Sequence, residues 1–410
     1  MSKSHTSLSQ ILSYLEAGQT PTALEWQQLA AEALESSDWK GVFGITATDV
    51  EEVIEARSLW GKSSSSAAIW LTHLFQELYP DILSLPSLQH TPEISGGAGE
   101  LGSGGAGERG SRGERENQVK IVKSFWTFWL PLALQLAVSR QKLGRPFIQG
   151  ILGGQGTGKT TLGAVLSLIL THLGYRLLSL SLDDLYKTYA ERKQLQEQDP
   201  RLIWRGPPGT HDVELGLQLL DQVRSSQGKQ SILVPRFDKS VWEGAGDRTT
   251  PETLENVDIV LFEGWFVGVR PIDSAVFDAD IPAPIQTPSD RAFARDMNEQ
   301  LKDYVPLWER LDRLMVLYPT DYRFSQQWRR QAEQQMIATG KSGMTDAQVD
   351  QFVEYFWKSL HPELFITPLT KNSNYVDLVV EINPDHSIGA IYRPDDMRSI
   401  DGQDVHPRRA

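Results

Sequence analysis

The stretch Phe147-Ile148-Gln149-Gly150-Ile151-Leu152-Gly153-Gly154-Gln155-Gly156-Thr157-Gly158-Lys159-Thr160-Thr161-Leu162 decides how this chain is read. Gly153 to Thr160 spells G-x-x-x-x-G-K-T. Apolar Phe147, Ile148, Ile151 and Leu152 stand before the glycines and predict a short buried strand. Thr161 to Leu173 continue at helical spacing. Strand, glycine loop and helix in that order make a P-loop. Glycines let the backbone curl until its N–H groups point inward at phosphate oxygens. The helix N-terminus adds its partial positive charge. Lys159 is then expected at the β- and γ-phosphates of a nucleotide, and the Thr160 hydroxyl on Mg²⁺. Gly153, Gly154, Gln155, Gly156, Thr157, Gly158, Lys159, Thr160 and Thr161 are the expected nucleotide-binding residues.

Composition sets outer limits. The chain has 410 residues, 40% hydrophobic and 23% charged, as in a soluble globular protein. Its formal net charge of -13 argues against a surface for nucleic acid, while leaving room for one local phosphate site. It has no cysteine, which excludes disulfides, thiolate zinc sites and cysteine nucleophiles. Residues 1–10 are polar and lack the apolar core of a signal peptide. The most apolar run, Phe125 to Val138, is interrupted by Thr127, Pro131 and Gln135 and is too short to span a bilayer. A buried helix, no membrane partner and a cytoplasmic location are the expectations.

Residues 1–94 read as a helical accessory region. Ile11, Leu15, Trp26, Leu29, Ala30 and Leu34 recur at helical intervals, as do Val50, Val53 and Ile54, then Ile69, Leu71, Leu74 and Leu78. Thr22 with Glu25 three residues on suits a capping box. Residues 95–118 read as a linker, because nine of the nineteen residues from Ser95 to Gly113 are glycine. Residues 119–392 read as the nucleotide domain, opened by an apolar helix from Val119 to Leu143 in which Pro131 is a candidate kink. Residues 393–410 read as a polar tail.

Within that domain, Arg176 to Leu182 predicts a second strand, ending in Asp183-Asp184. Carboxylates at the carboxyl end of a strand lie where doubly wound sheets bind their ligands. One can serve as base or metal-bridging group, and one can cap a helix starting near Thr188. Asp212 suits a cap for a helix from Val213 to Ser225. Ile232 to Pro235 predicts a strand that runs into Arg236-Phe237-Asp238-Lys239-Ser240, and Gly244 to Thr250 a mobile loop. Val257 to Trp265 predicts a buried parallel strand. Glu263 at its end is the expected metal-orienting carboxylate, where ATPases usually carry Asp. A helix from Arg291 to Arg313 and a strand from Leu314 to Tyr318 follow. Helices from Tyr322 to Thr339 and from Thr345 to Leu360 suit a lid spanning about 321–360. Arg329 and Arg330 are lid candidates for neutralising a phosphoryl group in transfer, and a solvated helical face is the alternative. Tyr375 to Ile382 and Ser387 to Tyr392 predict short closing strands.

These residues imply an α/β fold with a mostly parallel sheet, helices on both faces, and an N-terminal helical region. No Asn-Lys-x-Asp or Thr-Lys-x-Asp element for guanine is present, so ATP with Mg²⁺ is the expected pair. An aspartate beside the γ-phosphate suits transfer to a small hydroxyl compound. The order of the P-loop, Ser181-Leu182-Asp183-Asp184-Leu185-Tyr186 and Val260-Leu261-Phe262-Glu263-Gly264 resembles the phosphoribulokinase/uridine kinase superfamily. Arg205-Gly206-Pro207-Pro208-Gly209-Thr210-His211-Asp212, Pro235 to Ser240, Gly246-Asp247-Arg248, Trp328 to Glu333 and Gly340 to Asp346 resemble plant and cyanobacterial-type D-glycerate 3-kinase. The resemblance covers about Arg145 to Ile382. It implies phosphorylation of D-glycerate to 3-phosphoglycerate, a photorespiratory reaction, with Asp183 as base. It also implies a small-molecule partner whose carboxylate needs a cation. Arg205, His211, Arg236 and Lys239 are the candidates, and spacing does not choose among them. A nucleoside or pantothenate kinase of the same superfamily, or a non-enzymatic ATP-dependent switch, are the alternative readings.

Overall fold

All seven residues of β1 (Phe147–Gly153) are buried, so the run of apolar side chains ahead of the glycine loop becomes a strand covered on both faces. The computed structural model describes residues 6–59, 66–89, 106–226, 231–338, 340 and 343–395. They form two compact units, Met1–Gly144 with Thr160–Leu177, and Arg145–Lys159 with Leu178–Ala410.

The second unit holds the sheet. Its further strands are β2 (Leu177–Ser181), β3 (Ser231–Asp238), β4 (Asp247–Glu255), β5 (Ile259–Gly264), β6 (Arg313–Pro319), β7 (Leu378–Ile382) and β8 (Ile388–Tyr392). The main sheet has six strands in the order β2-β5-β1-β6-β7-β8. β1 pairs in parallel with β5, Ile151 opposite Glu263, and in parallel with β6, Leu152 opposite Val316. β6 and β7 are parallel, while β8 closes the edge as an antiparallel hairpin partner of β7. The mostly parallel α/β architecture expected from the sequence is therefore present. The core gathers Ile148, Leu152, Val260 and Phe262 from the strands with Leu219, Leu220, Phe293, Met297, Tyr304 and Trp308 from the helices of this unit.

Two expectations for this unit need correction. Gly244 to Thr250 is not simply a loop. From Asp247 the chain forms β4, antiparallel to β3, with Arg236 opposite Thr249 and Phe237 opposite Arg248. The β-branched Thr249 and Thr250 suit such a half-exposed strand, and the glycines at 244 and 246 make only the turn, both with positive φ. The single helix expected from Arg291 to Arg313 is broken. It runs Pro288–Gln300, tightens into a 3₁₀ turn at Leu301–Tyr304, and restarts as Val305–Trp308 with Pro306 in its first turn. Proline there cannot donate to the preceding turn, so the helix cannot run through.

The described residues of the first unit are mainly helical. Leu8–Glu16, Ala23–Glu35, Ala47–Ala56 and Ala67–Ser84 form as the apolar spacing predicts. Thr22 and Glu25 make the expected capping box. Phe75 packs its ring on Trp26, Phe125 and Trp126 at centroid distances of 4.7, 5.0 and 5.6 Å. The Trp39 indole donates to the Trp126 carbonyl at 3.1 Å, and Gln135 donates to the Phe43 carbonyl at 2.6 Å. The helix after the P-loop, Lys159–His172, ends with His172 Nε2 3.0 Å from Glu77 of the same unit.

The expected linker at 95–118 is shorter than its composition suggests. Residues 90–105 lie outside the described residues, and from Ala106 the chain is already helical through Ser124. Glu108, Arg109, Glu114, Arg115, Glu116, Gln118 and Lys120 are good helix formers and outweigh the three glycines at 107, 110 and 113. A π turn at Phe125–Trp129 joins this helix to Leu130–Leu143. Pro131 in the next turn has no N–H for the Thr127 carbonyl, which a widened turn accommodates. The run Arg112–Leu143 is 32 residues long and apolar enough to cross a membrane, yet 83% of its most apolar window is buried inside the fold, as in a core helix. The tail beyond residue 395 lies outside the described residues.

Gly150 is where the sheet leaves no room. A Cβ there would stand 2.7 Å from Leu311 Cδ1 and 3.1 Å from Leu314 Cδ1. Gly150→Ala should therefore lower unfolding stability by about 1–3 kcal/mol, the usual cost of overpacking. Urea denaturation should show a lower midpoint with an unchanged slope. An unchanged midpoint would mean that β1 is not held between β5 and β6 as described.

Candidate active site

The glycine loop begins where β1 ends. Gly156 and Gly158 take φ of 77° and 84°, which side chains rarely adopt. A Cβ on Gly153 would meet Thr157 Oγ1 at 2.6 Å, so the curl closes on its own first glycine. Thr157 is buried and donates to the Gly154 carbonyl at 2.9 Å. Lys159 folds back inside this curl and donates to the carbonyls of Gly153 and Gly154 at 2.6 and 2.8 Å. Its ammonium stands 4.0 Å from Glu263 Oε2 at the end of β5. Burial depresses its proton affinity, while the carboxylates of Glu263 and Asp183 pull the other way. Lys159, Glu263 and Asp183 are thus one electrostatic cluster. Thr160 and Thr161 follow directly in the first turn of the helix.

Asp183 comes from a 3₁₀ turn, Leu182–Leu185, which breaks the chain sharply after β2. Its N–H donates to Ser181 Oγ at 3.3 Å. Its carboxylate receives Lys239 Nζ at 2.5 Å. Burial pushes the Asp183 carboxyl up, but Lys239 and the Tyr186 hydroxyl together outweigh it and leave the group below the usual carboxylate range. Asp184 turns the other way. It accepts from the Ser181 N–H and from Arg236 Nη1, each at 3.0 Å. Neither aspartate caps the helix Tyr189–Gln198, because Thr188 caps it with Glu191 as the reciprocal partner. The two neighbours therefore divide the work: Asp183 faces the cluster and Asp184 holds the turn.

Of the four expected carboxylate-binding cations, the structure brings only Lys239 to Asp183. Its side chain is 58% exposed and so able to change partners. Arg236 is engaged by Asp184, by Glu252 at 2.6 Å and by the Ser179 carbonyl. Arg205 donates to the carbonyls of Gly244 and Ala245 at 2.6 and 3.0 Å. His211 needs correction as a cation. It is fully buried, and burial pushes its pKa down to about 3, so it stays neutral. It stacks on Tyr186 at 4.5 Å, and its Nδ1 pairs with the Tyr304 hydroxyl at 2.8 Å. The lid candidates Arg329 and Arg330 pair at 2.5 Å with Glu333 and Asp350 respectively. Asp212 caps the helix Val213–Ser225, as expected, and also holds Arg248 at 2.8 Å.

Several residues of the site are given no role by the sequence, although Tyr186 and Trp328 stand inside the motifs that carry the family resemblance. Tyr186 gives Asp183 its hydroxyl partner. Trp328 lies against the loop so closely that a Cβ on Gly156 would meet its Cβ at 2.7 Å. His386 Nδ1 donates to the Gly156 carbonyl at 3.0 Å, and its ring lies 4.6 Å from that of Trp328. Beside Gly153, Gly154 and Gln155 opens a mostly apolar cavity lined by Trp265, Tyr322 and Phe356. Only the spatial contacts pick these aromatics out.

The site fits a magnesium nucleotide. Among the described residues no cluster of three or more His, Asp or Glu forms a ready metal cage. Mg²⁺ does not need one, since it is held by one or two protein oxygens together with phosphates and water. Glu263 next to Lys159 supplies a hard oxygen beside the phosphate cradle.

No family model matches the chain. Known proteins do. An uncharacterized kinase of Schizosaccharomyces pombe, mug58, is 33% identical over 222 residues, covering 52% of this chain and 79% of that protein. The chloroplastic D-glycerate 3-kinase of Arabidopsis thaliana is 30% identical over 232 residues, covering 54% of this chain but only 49% of the plant protein. Among solved structures, a D-glycerate 3-kinase from Cryptococcus neoformans superposes with a TM-score of 0.57 at 28% identity, over 65% of this chain and 98% of that one.

Lys159→Ala should abolish phosphoryl transfer while leaving the fold intact, because the ammonium contributes charge to the site and little to the core. Losing a preorganised charge at developing negative charge costs several kcal/mol of barrier. Turnover within about threefold of the unaltered protein, read as a barrier change of under 1 kcal/mol, would remove the loop from the chemistry.

Proposed function

We propose that this chain, which belongs to the same kinase family as mug58 of Schizosaccharomyces pombe, transfers the γ-phosphoryl group of ATP to the 3-hydroxyl of D-glycerate. The supporting observation is the Asp183–Lys239 pair, 2.5 Å apart and in the same electrostatic cluster as Lys159. A hydroxy acid is the complement of that pair. Its hydroxyl replaces Lys239 as the hydrogen-bond partner of Asp183, and its carboxylate takes the ammonium that moves away.

In this reading the substrate hydroxyl oxygen attacks the γ-phosphorus in line. The bond from that phosphorus to the β,γ-bridging oxygen breaks, and ADP leaves. The hydroxyl proton passes to Asp183. An Asp with a depressed proton affinity accepts it late, so its main contribution is to aim the hydroxyl. Lys159 exchanges its two loop carbonyls for phosphate oxygens and follows the charge toward the leaving group. Thr160 and Glu263 would hold Mg²⁺, which would supply charge neutralisation across the phosphates.

Three substitutions separate the roles. Asp183→Asn should lower kcat by about 10²–10⁴, the range for loss of a general base, with little change in ATP affinity. Lys239→Met should raise KM for D-glycerate by about 10–100-fold, matching a lost charged hydrogen bond of about 1.5–3 kcal/mol. Asp184→Asn should lose about 1–3 kcal/mol of stability by weakening the charged hydrogen bonds that hold the turn, and keep most of the rate. An ADP-release assay over D-glycerate, pantothenate and uridine checks all three. Faster turnover of pantothenate or uridine would reject glycerate as substrate, and a severe loss in Asp184→Asn with a mild one in Asp183→Asn would move the base by one residue.

A further inference from the structure

A second cluster of positive charge gathers around the Phe237 ring. Arg192 spends its guanidinium on backbone carbonyls, those of Lys187 at 3.0 Å, Ala245 at 2.7 Å and Gly246. Arg205 donates to the same Ala245 carbonyl. Both guanidinium groups lie over the Phe237 ring, at 5.2 and 5.6 Å from its centroid. Among the described residues, no ion pair joins either arginine to a carboxylate. Two like charges sharing one carbonyl are a costly arrangement unless an anion joins them. After burial, the neighbouring Arg205 charge is what most depresses the proton affinity of Arg192.

Nearby acids do not fill that role. Asp247 is within electrostatic reach of Arg192, but its oxygens accept from the Tyr189 N–H at 2.9 Å, the Arg248 N–H at 2.9 Å and the Trp242 indole at 3.1 Å. Among the described residues Glu243 is the one acid lining the adjacent cavity, whose wall also carries Arg192, Lys193 and Arg205. That cavity holds about 270 Å³ and is also lined by Trp204 and the backbone of Gly244.

We propose that this cavity, between the helix Tyr189–Gln198 and the turn before β4, is a second anion site that takes a small phosphate ester. A guanidinium has five N–H donors, so both arginines keep donors beyond those given to carbonyls. Lys193 on the rim adds a third cation. Three cations and forked donors match the charge and three oxygens of a phosphate monoester better than a single carboxylate. The site connects to the chemistry through one ring. Arg205 stands 5.8 Å from the centroid of Tyr186, the residue whose hydroxyl reaches Asp183. An anion that draws Arg205 toward the cavity alters the setting of that tyrosine and slows turnover. This consequence rests on the kinase reading, while binding does not.

The test uses the whole chain, saturated with a non-hydrolysable ATP analogue and Mg²⁺ so that the glycine loop is filled. Inorganic phosphate and 3-phosphoglycerate are titrated against tryptophan fluorescence, with Trp204 in the cavity wall as reporter. Saturable binding is expected, weaker by about tenfold in Arg192→Gln, the loss of one charged contact, and weakened also in Lys193→Gln. The KM for D-glycerate should stay unchanged in both variants, and 3-phosphoglycerate should inhibit non-competitively with D-glycerate. No saturable binding, equal binding in all three proteins, or strictly competitive inhibition would overturn the proposal. If Arg192→Gln fails to fold through loss of its carbonyl contacts, the exposed Lys193→Gln decides the matter. If D-glycerate is not turned over at all, the proposed function fails and the binding titration still judges the anion site.

Discussion

The structure turns on a single ammonium held in a backbone curl. Lys159 is drawn into the carbonyls of Gly153 and Gly154 because the loop closes too tightly for a side chain at 153 and 156 and takes a positive φ at 156 and 158. That closure depends on β1 being locked between two parallel neighbours. The same parallel register puts the end of β5, and with it Glu263, at the edge where the loop begins. A cation confined at this edge explains why two carboxylates, Glu263 and Asp183, are tolerated beside it. Removing water from three like-signed groups would be prohibitive, but two acids around one ammonium, with Lys239 as a second, balance.

The remaining charges of the site are mostly spent on architecture. Arg236 joins the turn after β2 to the β3–β4 hairpin, through Asp184 on one side and Glu252 on the other. Arg248 reaches from β4 to the cap of the helix Val213–Ser225 through Asp212. These bridges fix the hairpin that carries Lys239 without using Lys239 itself. An exposed lysine on a braced hairpin is a reasonable way to present a charge that must change partner during a reaction. Arg329 and Arg330 are likewise spent, paired within and between their own helices.

Most of the framework was legible in the sequence because it is written in local rules. The strand–loop–helix order around Gly153, the buried run Val260-Leu261-Phe262, and the caps at Thr22 and Asp212 each depend on a few adjacent residues. The roles that stayed hidden depend on distant ones. Nothing near His211 announces that Tyr304, 93 residues on, will bury it and hold its ring. Nothing in Asp183-Asp184 says which carboxylate turns outward, since that is settled when Arg236 arrives from β3 to take Asp184. The glycine count from 95 to 113 overstated the linker for the opposite reason. Composition averages over a boundary, while the helix that starts at Ala106 responds to each residue in turn.

The long-range contacts also explain how the proposed base can be both rigid and available. Behind Asp183, Tyr186 is buried and stacked on neutral His211, which pairs with Tyr304, whose hydroxyl in turn accepts from the Gly209 N–H at 2.9 Å. None of these groups changes charge near neutral pH: burial pushes the tyrosines up and the histidine down. A neutral buried network costs less than a charged one and keeps one geometry across a wide pH range. Among the described residues His211 Nε2 has no hydrogen-bond partner, a cost the fold bears to keep the ring stacked beneath Tyr186. In front of Asp183 stands Lys239, long, half-exposed and replaceable. Fixed groups behind and a movable charge ahead let the carboxylate wait ionised, without rearranging, until a hydroxyl takes the place of the ammonium.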